Sequence, residues 1–168
     1  MPSNIELKAY CNDIEEAIKK AEDFGASFTK TLKQTDTYYL ISNSKLKLRE
    51  ISGETAELIY YDRQMKDKWI SDYIIANISD SKNLKKILEM LFDVLVIVKK
   101  FRRLYLYKNA RIHFDEVENL GTFIEFEVIV NDDYNQAVKL FDELKNYFNI
   151  GENLIIKKSY SDLLLEKS

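Results

Sequence analysis

The stretch "TFIEFEVIV" sets two carboxylates, Glu125 and Glu127, on one side of an alternating segment, opposite Ile124, Phe126 and Val128. At strand rise the two lie about 7 Å apart. Like charges this close repel, and Glu is a poor strand residue. Hard divalent cations take oxygen ligands, so such a pair suits a metal ion. The alternative is a surface ladder paired with neighbouring lysines. Other alternating segments are charged in the same way. "NIELK" puts Asn4, Glu6 and Lys8 on one side, and "KLKLR" puts Lys45, Lys47 and Arg49 there. "RIHFDEV" sets Arg111, His113 and Asp115 opposite Ile112 and Phe114. In "KKFRR" alternation leaves two choices, Lys100 with Arg102, or Lys99 with Phe101 and Arg103.

Two arrangements account for these faces. One is the solvated outer side of an antiparallel sheet, where Lys and Arg also discourage edge pairing. For any single strand this is the favoured reading. The other is a barrel whose charged faces line its interior. Five strands sharing the pattern, with little Thr, Ser or Gln mixed in, favour the barrel. A lumen of this kind needs its charges answered. A polyphosphate answers the cations, and Mg²⁺ or Mn²⁺ answers the carboxylates. Phosphoryl chemistry needs little covalent help and much electrostatic stabilisation, which such a lumen supplies.

The elements that must position these residues follow from the hydrophobic pattern. "NIELKAY" reads as a strand. "DIEEAIKKAEDFG" reads as a helix from an Asp13 cap to Gly25, with Ile14, Ala17, Ile18 and Ala21 at helical spacing. "TDTYYLI", "SKLKLREI", "AELIYY" and "WISDYIIANI" read as strands, with "DRQMKDK" a polar loop. "DSKNLKKILEMLFDV" is a helix capped by Asp80 or Ser81. "VIVKKFRRLYLY", "ARIHFDEVE" and "TFIEFEVIV" are three strands joined by short turns at Lys108-Asn109 and Asn119-Leu120-Gly121, hence antiparallel hairpins. "DDYNQAVKLFDELKNYF" is a helix capped at Asp132 or Asp133, and "SYSDLLLEK" is a short final helix. The expected fold is α+β: one domain over residues 1–168, with an antiparallel eight-stranded barrel and three or four flanking helices.

Composition agrees with a globular domain. The 168 residues are 46% hydrophobic and 32% charged, enough for one full core. A net charge of −3 argues against a nucleic-acid partner, because basic residues matter here only if they cluster. A single cysteine, Cys11, excludes an internal disulfide and fits a reducing compartment. The apolar run near Leu91 to Val98 is broken by Asp93 and is too short for a bilayer. "MPSNIELK" lacks a signal-peptide pattern. The expectation is a cytoplasmic protein with no membrane partner.

The charged segments, taken in order, resemble the CYTH family, the triphosphate tunnel proteins that include class IV adenylate cyclases and thiamine triphosphatases. "NIELK" is similar to the family's ExExK strand, "QTDTYYL" to its second-strand block and "KLKLRE" to its basic third strand. "KKFRRLYL" resembles the K-x-R strand, which selects Lys100 and Arg102 as the inward pair. "IHFDEVENLGTFIEFEV" resembles the acidic strand, Gly turn and E-x-E block, and "KKSYSDLL" the C-terminal signature. "SDYIIANISD" and "IHFDEVENLG" look closest to the class IV cyclase branch.

The resemblance implies a triphosphate held in the tunnel (ATP, thiamine triphosphate or tripolyphosphate) with Mg²⁺ or Mn²⁺. It implies metal ligation by Glu6, Asp115, Glu125, Glu127 and Asn4, with Asp115 alternatively holding a basic side chain. It implies phosphate contacts from Lys8, Lys45, Lys47, Arg49, Arg63, Lys100, Arg102 and Arg111, with Lys8 and Arg63 in catalytic roles. The reaction implied is cyclisation of ATP, with triphosphate hydrolysis or binding without turnover as alternatives. A homodimer is also expected, which sedimentation would test. Two departures stand out. Asn4 replaces the first Glu of ExExK and brings no charge. Tyr61 stands where a basic residue is usual, with Arg63 two residues on. His113, the lone histidine, reads as structural, Cys11 as inert, and Tyr38, Tyr39, Tyr105 and Tyr107 as barrel wall. Repulsion between Glu125 and Glu127 further implies that neutralising one stabilises the metal-free protein.

Overall fold

The structure is a computed structural model that describes residues 3–62 and 70–168. Arg63 and the rest of "RQMKDKW" lie outside the described residues.

Local signals set most of the elements. Strand β1 (Ser3–Tyr10) is followed by helix α1 (Ile14–Phe24). The Asp13 side chain caps α1 by accepting from the Glu16 amide at 3.0 Å. Gly25 ends it at φ 101°, a left-handed conformation that costs glycine little. Strands β2 (Ser27–Tyr39), β3 (Ser44–Ile51), β4 (Ala56–Asp62) and β5 (Ile70–Ile78) lead to helix α2 (Ser81–Leu91). Strand β2 starts well before "TDTYYLI", because its first half pairs along β6 as far as Leu106. Asp80 is the α2 cap. Strands β6 (Val94–Tyr107), β7 (Ala110–Val117) and β8 (Gly121–Val130) are the antiparallel run expected from the short turns. Helix α3 (Tyr134–Tyr147) is capped by Asp133, the two-residue strand β9 is Ile155–Ile156, and helix α4 (Tyr160–Lys167) starts in a Ser159–Asp162 capping box.

The sheet runs β5-β4-β3-β2-β6-β7-β8-β1-β9, with every pairing antiparallel. β1 also meets β5, through Ser3–Ile5 against Ile70–Asp72. Eight strands therefore form a barrel-like ring, laced at one end by that short ladder. At the other end of β1 the small ninth strand takes its free edge, pairing Ile155 and Ile156 with Ala9 and Lys8.

Alternation decides which side faces what. The outward apolar residues of β1, β7 and β8 (Leu7, Ala9, Ile112, Phe114, Ile124, Phe126 and Val128) pack against α1 and α3 through Ile18, Ala21, Leu140, Phe141 and Leu144. On the other flank Tyr39, Leu48 and Ala56 are covered by Leu88 of α2. The main apolar core is thus outside the ring, between strands and helices, and the charged faces turn inward. A smaller cluster of Tyr38, Val98, Val117 and Phe123 meets Tyr160 of α4. Among the described residues no helix is long and apolar enough to cross a membrane.

The outer core should carry the stability. Phe126 is fully buried, with its ring 5.2 Å from that of Phe148. Phe126→Ala is expected to cost about 3–5 kcal/mol in urea unfolding; a loss below about 1 kcal/mol would show that α3 is not seated on β8 as described.

Candidate functional site

Strand register brings the charged faces together. Arg102 of β6 stands opposite Asp115 of β7, and His113 stands opposite Glu125 of β8. Glu125 in turn faces Lys8 of β1, and Glu127 faces both Glu6 and Arg111. On the far wall Asp36 of β2 faces Arg49 of β3, and Tyr38 faces Lys47. These side chains surround a cavity of about 200 Å³ that includes Asn4, Glu6, Arg49, Arg102, Arg111 and Glu127 in its lining.

Two carboxylates act as buttresses. Asp36 accepts from Arg49 Nε and Nη2 at 2.8 Å each and from Lys47 Nζ at 3.1 Å, with Lys100 Nζ at 3.8 Å. Burial alone would raise its carboxyl, but Arg49, Lys47 and Lys100 hold it well below the usual carboxylate range. Asp115 accepts from Arg102 Nε and Nη2 at 2.7 and 2.6 Å and from the Tyr160 hydroxyl at 2.7 Å. Against its burial, Arg102 keeps it ionised. A guanidinium has five N–H donors, so a fork on one edge leaves donors on the other for phosphate oxygens. Lys100 differs from the two forked arginines. Burial, with Arg102 nearby, pulls its ammonium well below the ordinary lysine range, and Asp36 opposes this.

Glu125 is held from three sides, by Lys8 at 3.2 Å, Arg102 at 3.1 Å and His113 Nδ1 at 3.2 Å. Burial disfavours its charge, yet Arg102, Lys8 and His113 keep it well below the ordinary glutamate range. Glu127 pairs with Arg111 at 3.0 Å. The expected relief of repulsion on neutralising one glutamate is therefore corrected: each carboxylate has its own cations, and removing one strands them.

The expected residues are distributed unevenly. Glu125 and Glu127 lie together, and with His113 they offer ligand atoms within 4.8 Å of one another. Glu6 lines the same cavity. This carboxylate-rich set fits a hard divalent cation, and His113 is placed to orient Glu125. Both oxygens of Asp115 are engaged by Arg102 and Tyr160. Asn4 is 2% exposed, and with its amide oxygen turned inward it accepts from Arg111 Nη2 at 3.2 Å and lies 3.3 Å from the Tyr73 hydroxyl. Lys8, Lys47, Arg49, Lys100, Arg102 and Arg111 all face the lumen. Lys45 is tied to α4 instead, through Asp162 at 2.8 Å, Ser161 at 3.2 Å and Ser159.

Asp36 and Tyr160 were not singled out from the sequence. The signal for Asp36 was present: a carboxylate inside the alternating "QTDTYYL", sharing a side with Gln34 and Tyr38. Tyr160 left no such signal, since only the chain's return across the barrel end puts its ring 4.2 Å from Lys8 Nζ and 4.9 Å from the Phe123 ring.

An antiparallel ring of this order, with cations and carboxylates on its inner face, defines a triphosphate-tunnel fold. The CYTH domain model matches residues 3–160, and the chain belongs to the CYTH family. A curated Methanocaldococcus jannaschii protein, described as a candidate adenylate cyclase, is 25% identical and covers 95% of this chain and 97% of its own length. The PH1819 protein of Pyrococcus horikoshii OT3 superposes with a TM-score of 0.81 at 26% identity, over 98% of this chain and 99% of its own. A Hippeastrum protein, HpAC1, described as a candidate adenylyl cyclase with a dominant triphosphatase activity, shares the fold at a TM-score of 0.67 and 14% identity, over 99% of this chain and 95% of its own.

Two measurements test the paired interior. The folded carboxyl of Asp36 lies below its unfolded value of about 3.9, so its contribution is complete above that pH and is lost as pH falls toward the folded value. Asp36→Asn should cost about 3–5 kcal/mol at neutral pH by leaving its cations unanswered. It should also flatten the acid limb of the stability curve below about pH 4; an unchanged acid limb would show that Asp36 is not the titrating group. For Glu125→Gln, urea unfolding of the metal-free protein should show a loss of about 1–3 kcal/mol. A gain would restore the repulsion argument.

Proposed function

We propose that the chain is a metal-dependent enzyme acting on a triphosphate, most like the class IV adenylate cyclases: ATP to cyclic AMP and pyrophosphate. The observation that carries the reading is the single lumen in which Arg49, Arg102 and Arg111 line the same cavity as Glu6 and Glu127. The description of the Methanocaldococcus jannaschii relative supports the cyclase over other members of the family.

In this reading Arg49, Arg102 and Arg111 grip phosphate oxygens through their lumen-facing N–H groups, while Asp36 and Asp115 hold the first two rigid. Lys8 and Lys47 add point charges, Lys100 reaches the phosphates from a position where burial and Arg102 disfavour its charge, and Lys8 serves the transferring group. Arg63 keeps its proposed catalytic place, outside the described residues. Glu6, Glu125 and Glu127 would hold the divalent ion, Mg²⁺ or Mn²⁺. When bound, it neutralises charge on the bridging phosphate oxygens. In cyclisation the ribose 3′-hydroxyl bonds to the α-phosphorus, its proton leaves, and the bond to the β-phosphate oxygen breaks to release pyrophosphate. The second reading is hydrolysis, in which water attacks the terminal phosphorus; the fold shared with HpAC1 accommodates it. A cytoplasmic location belongs to the same proposal and fits the buried free thiol of Cys11.

Product analysis with ATP and Mn²⁺ or Mg²⁺ separates the outcomes. Cyclic AMP with pyrophosphate is expected. ADP with orthophosphate would establish the triphosphatase reading, and tight binding with no product over hours would make the protein a binding module.

A further inference from the structure

Helix α2 carries more apolar surface than the barrel uses. Leu84 and Leu88 turn to Tyr39, Leu48, Ala56, Leu58 and Ile78 and close the core on that flank. Ile87, Met90 and Leu91 form a second strip on the same helix, at the i, i+3, i+4 spacing that sets side chains beside one another. This strip faces water: Met90 is 86% exposed, Leu91 67% and Ile87 52%. The chain then passes Asp93 into β6, where Val94, Leu95 and Ile97 are also exposed. Strand β7 gives them no neighbour, because its ladder with β6 ends at Lys100. Leu40, again exposed, joins the group, since its amide donates to the Asp93 carbonyl at 2.9 Å.

Seven large apolar side chains therefore meet water around the junction of α2 and β6. At roughly 100 Å² each they approach the ~800 Å² that each partner brings to a standard interface. They also exceed the apolar patch of a typical monomer, about 300–600 Å². Charge beside the strip is divided. Lys86 precedes Met90 by one helical turn, and Asp93 follows it by nearly the same distance along the chain. Both are exposed, and neither is in a salt bridge among the described residues. A two-fold axis at Met90, with α2 antiparallel to a second α2, brings each Lys86 toward the other copy's Asp93 and packs Met90 on Met90. A closed pair of identical chains needs a patch complementary to itself, and this one is. A lipid surface favours lysines around an apolar face, whereas here Glu89 and Asp93 stand among them.

We infer that the α2–β6 surface is the contact between two copies of this chain, closed by a two-fold axis at Met90. The resemblance implied a homodimer without a surface, and the exposed strip supplies one. The inference is independent of the triphosphate reading, since none of the seven side chains lines the cavity.

Sedimentation equilibrium of the full chain tests it. The parent should sediment at twice the chain mass. Met90→Asp, at a side chain that lies almost wholly in solvent in the single copy, should weaken the dimer about tenfold or more and leave the circular dichroism spectrum unchanged. Lys86→Glu and Asp93→Lys should each weaken it, and the double variant should recover most of the loss. A parent that stays monomeric at its highest soluble concentration would overturn the inference, as would a dimer indifferent to Met90→Asp. A double variant no better than either single one would overturn the antiparallel two-fold arrangement. A monomer that floats with vesicles of phosphatidylcholine and phosphatidylserine, and ceases to on Met90→Asp, would make the strip a lipid-binding surface instead.

Discussion

An ammonium or guanidinium taken out of water costs several kcal/mol unless an anion meets it. This protein turns Lys8, Lys47, Arg49, Lys100, Arg102 and Arg111 into the inside of a ring of strands. That arrangement survives only because carboxylates are spaced among them. Asp36 answers Arg49 and Lys47, Asp115 and Glu125 answer Arg102, and Glu127 answers Arg111. The charges form paired clusters, so each carboxylate holds its own cations in place. Such preorganisation is what electrostatic catalysis requires, because the donors need not reorganise as charge moves.

The demand for paired charge inside shifts the hydrophobic work outside. A barrel filled with aliphatic side chains would be its own core; here the lumen is polar and the helices must supply the burial. α1 and α3 cover β1, β7 and β8, while α2 covers β2, β3 and β4. The caps at Asp13, Asp80, Asp133 and Ser159 set where those helices begin. α4 differs, since its Tyr160 side chain enters the barrel end and reaches Asp115. The two ends of the tunnel are therefore unlike, one closed by α4 through Tyr160 and Lys45, the other opening past Ile75.

Glu125 illustrates how pairing changes the meaning of a motif. In the chain it stands beside Glu127 and looks like a liability. In the fold it is the junction of Lys8, Arg102 and His113. Its charge is favoured by those cations, so an ion at the proposed metal site would have to compete with them for the same oxygens.

The sequence by itself determined the helices, eight of the nine strands in outline and the charged side of most of them. Those properties are local: alternation follows from the two-residue pleat, and Asp, Ser and Gly act on their own helix ends. The order of the charged segments was enough to place the chain in its family. For Lys100 and Arg102, alternation left the inward side undecided, and the resemblance picked the pair that the structure turns to the lumen. Tertiary structure alone decided who meets whom. The β6–β7 register commits Asp115 to Arg102, the return of α4 commits Lys45 to Asp162, and the meeting of β2, β3 and β6 makes Asp36 a hub. Partners such as Asp36 and Lys100, or Asp115 and Tyr160, are separated by dozens of residues in the chain, and their interaction depends on ångström-scale register. No local pattern encodes that distance, because burial and Coulomb attraction act through space rather than along the backbone.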